Sequence, residues 1–72
     1  MTKETWKSMM ADLRLFSPVE IVNGVPVVMF FGKTGTPRHE SWNDCLDIVR
    51  EKYNVVVGVR YPYFSSTQVF YG

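Results

Sequence analysis

Residues 19–31 read VEIVNGVPVVMFF, from Val19 to Phe31, with Asn23-Gly24 between two apolar runs. That dipeptide decides the fold. A type I′ turn needs positive φ at both central residues, which makes Asn-Gly the strongest short-range signal for a β-hairpin. A two-residue turn also sets a register: Val22 faces Val25, Ile21 faces Pro26, Glu20 faces Val27 and Val19 faces Val28. Pro26 then falls at a non-hydrogen-bonded pair. Its missing N–H costs nothing toward the first strand, and its other side must go unpaired at that level. One face carries Val19, Ile21, Pro26, Val28 and Phe30. The other carries Glu20, Val22, Val25, Val27, Met29 and Phe31. The second strand is apolar on both faces, as expected of a central strand covered at least in part on both sides.

Helices flank the hairpin. Over residues 3–16, Trp6, Met9, Met10, Leu13 and Phe16 form one apolar stripe at helical spacing. Thr2 is placed to cap that helix, and Ser17-Pro18 ends it, because a residue before proline is pushed out of the α region. Over residues 37–53, Trp42, Cys45, Leu46, Val49 and Tyr53 form a second stripe. Thr36 suits its N-cap, Pro37 its first position and Asn54 a left-handed C-cap. Residues 55–61 alternate as a third strand. Pro62 to Ser66 read as a turn, and Thr67 to Tyr71 as a short last strand. The reading is a single α+β domain over residues 1–72, in the order αββαβ(β). Its sheet is three- or four-stranded, mixed or antiparallel, with both helices packed on one face. The second strand, second helix and third strand form a right-handed βαβ unit with parallel strands.

Composition narrows the function. A chain of 72 residues is expected to bury only ~60% of the surface it exposes unfolded, so it needs most of its large side chains inside. Cys45 is the one cysteine, which rules out an internal disulfide and points to a reducing compartment. A net charge of +1 is far from the basic footprint of a dedicated nucleic-acid binder. The N-terminus is polar and charged, and the longest apolar run, Val25 to Phe31, is too short to span a bilayer. The expectation is a cytoplasmic protein without membrane contact.

The segment Gly32-Lys33-Thr34 imitates the end of a phosphate-binding loop. That motif requires a glycine five positions earlier, where this chain has Val27 inside a strand. A weaker anion or nucleic-acid site remains at the start of the second helix, built from Lys33, Thr34, Thr36, Arg38 and His39. Against it stands an ordinary strand-to-helix connection. His39 and Glu40 read as solvent-exposed first-turn residues, and Ser41 does not face His39. Asp44, Asp47 and Glu51 read as a solvated helix face, and Cys45 as a buried small hydrophobe. No catalytic constellation, cofactor site or metal site emerges.

The densest unexplained chemistry is aromatic: Tyr61, Tyr63, Phe64, Phe70 and Tyr71 crowd beside Arg60. Two helices cover one sheet face, which leaves Val22, Val27, Met29 and Phe31 on the other. An uncovered apolar face suggests a homodimer or a protein partner. The functional expectation is a non-enzymatic protein-binding module. It would be a small accessory regulator or inhibitor of phage or mobile-element type, acting through the sheet face and the aromatic C-terminal segment. The alternative is a weak nucleic-acid binder using the Gly32–Arg38 loop, Arg60 and the tail aromatics.

Overall fold

The computed structural model describes residues 1–62 and, for Val69–Tyr71, the backbone. The elements are α1 (Lys3–Phe16), β1 (Val19–Val22), β2 (Val25–Met29), α2 (Pro37–Tyr53), β3 (Gly58–Arg60) and β4 (Val69–Tyr71). The class is α+β, and the sheet is mixed, with strand order β1-β2-β3-β4. β1 and β2 are antiparallel, β2 and β3 parallel, and β3 and β4 antiparallel.

The hairpin has the register expected from its turn: Val19 pairs with Val28, Glu20 with Val27, Ile21 with Pro26 and Val22 with Val25. Asn23 and Gly24 take φ of 51° and 79°, the left-handed region that the turn demands. The helix ends follow their caps. The Thr2 hydroxyl accepts from the Thr5 amide, and that of Thr36 from the His39 amide. Asn54 closes α2 with φ 51° and ψ 52°.

Strand β3 is shorter than the alternation over 55–61 suggested, and Pro26 supplies the reason. The ladder with β2 begins only at Val27–Gly58. One step earlier β2 presents Pro26, which has no N–H to give. Val55 to Val57 stay outside the ladder, and the Val57 carbonyl, which faces away from β2, accepts from Arg50 Nη2 at 2.7 Å. At the other end the Phe30 amide donates to the Arg60 carbonyl at 3.0 Å, which carries the pairing one step past Met29. The expected turn over Pro62 to Ser66 and the strand start at Thr67 lie largely outside the described residues.

Both helices cover the same side of the sheet. Met9, Met10 and Leu13 of α1 and Leu46 of α2 form one buried cluster with Val28, Phe30, Val57 and Val59. Each such side chain contributes about 1.5–3 kcal/mol through burial. The inward row of α2 is His39, Trp42, Leu46, Val49 and Tyr53, at alternating steps of three and four. This row passes Cys45 by. Cys45 is exposed, so the expectation of a buried cysteine does not hold.

On the outer side, α1 and α2 are clasped by a polar group. The Tyr53 hydroxyl donates to Asp12 Oδ2, Lys52 Nζ lies 3.3 Å from the same oxygen, and Ser8 Oγ lies 3.3 Å from the Tyr53 hydroxyl. The Tyr53 hydrogen bond first, and Lys52 second, hold the Asp12 carboxyl below its ordinary range. A lowered folded-state value stabilises the fold above the unfolded value, near pH 4, and that contribution is lost as pH falls through the folded value. Tyr53→Phe is expected to lower the melting temperature at pH 7. The gap from wild type should narrow as pH falls below about 4, where Asp12 takes up its proton in both proteins. Thermal unfolding across that range checks it. A gap that stays constant with pH would show that the Asp12 contact carries none of the effect.

Candidate functional site

The residues singled out in the sequence divide into three places. The first is the sheet face turned away from the helices. Glu20 stands beside Val27 on β1, and Arg60 beside Met29 on β3. Arg60 Nε and Glu20 Oε1 meet at 2.8 Å, so their side chains cross β2 between Val27 and Met29. The contact is an ion pair whose N–H is not aligned on the carboxylate oxygen. Val27 retains 0% of its exposure, whereas Val22 and Met29 are half-buried and Phe31 is 46% exposed. Val27 therefore has no area to offer a partner. Tyr63 and Phe64 lie outside the described residues, and Phe70 and Tyr71 belong to β4, described through its backbone.

The second place is the loop from Gly32 to Thr36. Two of its donors are used internally. The Gly35 amide donates to His39 Nδ1 at 3.3 Å, and the Thr36 hydroxyl donates to the Lys33 carbonyl at 3.0 Å while accepting the His39 amide. Gly35 has φ 77°, a conformation that favours glycine. His39 is 9% exposed rather than solvated, which corrects the first-turn expectation. It packs against Phe30 with ring centroids 4.9 Å apart and edge-on to Tyr61 at 5.6 Å. Because Nδ1 accepts the Gly35 amide, Nε2 carries the proton of the neutral ring and faces the Tyr61 hydroxyl at 3.0 Å. Burial raises the Tyr61 phenol above its ordinary value, partly countered by Arg50. His39 and Tyr61 thus pin the loop to the end of β3. Of the five candidate anion ligands, Lys33, Thr34 and Arg38 are exposed, while Thr36 and His39 hold the loop together.

The third place escaped the sequence reading. A groove of about 160 Å³ opens where α1 ends, β2 ends and α2 begins, lined by Phe16, Ser17, Pro18, Met29, Phe30, Phe31, Arg38 and Trp42. Trp42 stacks on Phe16 at 5.0 Å with 19° between planes, and Phe30 leans on Trp42 at 5.0 Å and 56°. Ser17 is buried beneath it: Oγ accepts from the Met29 amide at 3.0 Å and donates its proton to the Pro18 carbonyl at 2.9 Å. The signal for both omissions was available. Stepping back three residues from Trp42 along its own stripe reaches His39. Phe16, Phe30 and Trp42 are the aromatic residues near the ends of three elements that meet there.

Among the described residues, no group of three His, Cys, Asp or Glu side chains is arranged to hold a metal ion, and no helix is long and apolar enough to cross a membrane. No family model, curated protein or solved structure matches the chain.

A double-mutant cycle tests the pin. His39→Phe keeps a ring in the aromatic cluster but leaves the Gly35 amide and the Tyr61 hydroxyl without their partner. It is expected to cost about 1–3 kcal/mol in urea unfolding. Tyr61→Phe should cost less in the His39→Phe background than in wild type, since its partner is already gone. Additive costs would mean that the two side chains do not act as a unit.

Proposed function

We propose that the chain is a non-enzymatic protein-binding module that docks a segment of another protein in the Phe16–Phe30–Trp42 groove. The observation that carries this reading is the groove itself: a concave site with aromatic walls, next to the half-exposed ring of Phe31. Aromatic residues and arginine dominate the energetics of protein interfaces, the aromatics because they bury much area with few rotamers to freeze. Two groups that often serve catalysis have other surroundings here. Both nitrogens of His39 are engaged in holding the loop, and Cys45 stands alone on the outer surface of α2. A role as a small accessory regulator or inhibitor follows from such a module, with the partner blocked or recruited through one short segment.

An unbiased peptide-display library selected on the immobilised domain tests the reading. Phe31→Asp serves as the counter-target, because Phe31 is exposed enough to be changed without opening the core. Peptides with an apolar anchor are expected to enrich on wild type and to be lost on Phe31→Asp and on Trp42→Ala. Failure of any sequence to enrich on wild type over Phe31→Asp would rule out the groove as a docking site.

A further inference from the structure

We propose that the groove accepts an acidic linear segment, one phenylalanine-type ring flanked by carboxylates. This assignment rests on the docking reading above and names the class of partner. The lining speaks for the ring: the open groove of about 160 Å³ is walled by Phe16, Pro18, Phe30 and Trp42. A ring entering there meets further rings, in offset or edge-on geometries that favour aromatic pairs.

Charge speaks for the flanks. Among the described residues Arg38 is the one charged side chain in the wall, and it sits one helical turn before Trp42 on the same side of α2. Three other cations are already matched: Arg50 with Asp47, Lys52 with Asp12 and Arg60 with Glu20. Arg38 has no carboxylate partner among the described residues, and neither does Lys33 in the adjoining loop. The first turn of α2 opens on the same end of the molecule, and its dipole adds positive potential. Glu40, the acid of that turn, does not line the groove. The Ser17 hydroxyl already gives its one proton to the Pro18 carbonyl, so among the described lining residues the Arg38 guanidinium is the group that reads the carboxylates of a ligand.

Fluorescence polarisation on the full chain tests this with three synthetic peptides, each about ten residues long. All share one phenylalanine and differ only in its neighbours: aspartates, serines or lysines. The aspartate-flanked peptide should bind roughly fivefold tighter than the serine-flanked one, and the lysine-flanked one weakest. The preference should shrink with added salt. Arg38→Glu, an exposed change that leaves the core intact, should reverse the order. Arg38→Met should flatten it. Equal binding of all three peptides, or a preference that survives Arg38→Glu, overturns the acidic assignment and leaves the docking reading standing. No binding of any peptide also overturns it, and the docking reading then stands or falls on the library selection. Tighter binding of an oligothymidylate than of the aspartate-flanked peptide overturns it in favour of nucleic acid. Self-association of the chain that is abolished by Phe31→Asp overturns it in favour of a second copy.

Discussion

The turn at Asn23-Gly24 sets the parity of the sheet. Side chains alternate along a strand, so a slip of one residue between β1 and β2 would send every inward residue outward. With Val22 paired to Val25, Val28 and Phe30 face the helices and Val27 and Met29 face away. β3 inherits the same parity through Val28–Val59 and Met29–Arg60. Arg60 therefore emerges on the face where Glu20 can reach it, and Val57, Val59 and Tyr61 emerge beneath the helices. The functional geometry follows from this choice. Phe30 meets Trp42 and His39 because it is on the inner face, and the groove exists because Phe30 forms its floor.

Pro26 limits the sheet in the other direction. It is harmless toward β1, where its level makes no hydrogen bond, and it ends the ladder toward β3. The three valines before Gly58 consequently run outside the ladder. Two of them, Val55 and Val57, still pack on the core, and Arg50 ties the Val57 carbonyl to α2. A short parallel pairing suffices because α2 presses on it from above, as burial rather than strand length supplies most of the stability in so small a domain.

Local rules were legible in the sequence wherever one residue type is tied to one backbone geometry. Asn-Gly gave the turn, Thr2 and Thr36 the caps, Pro18 the stop and Asn54 the left-handed end. Side-chain fates on α2 were less legible, because Cys45 and His39 compete for the edges of one stripe. Hydrophobicity favoured Cys45. The fold chose His39, since its ring nitrogens find the Gly35 amide and the Tyr61 hydroxyl, partners that lie far apart in sequence and come together only in the folded chain. On the second sheet face, the burial of Val27 was hidden for a similar reason. The Glu20–Arg60 pair joins residues of non-adjacent strands, and no local pattern announces it. The groove needed three element ends in one place, which the sequence supplies only after the topology is known.

The parity of the hairpin is open to one direct measurement. In an antiparallel sheet the α-protons of a non-hydrogen-bonded pair lie close enough for a strong nuclear Overhauser effect. Strong cross-peaks are predicted between the α-protons of Val19 and Val28 and between those of Ile21 and Pro26, with ring contacts from Phe30 to Trp42 and His39. Cross-peaks displaced by one residue, such as Glu20 to Val28, with Phe31 rather than Phe30 in contact with Trp42, would contradict the account of the core and of the groove together.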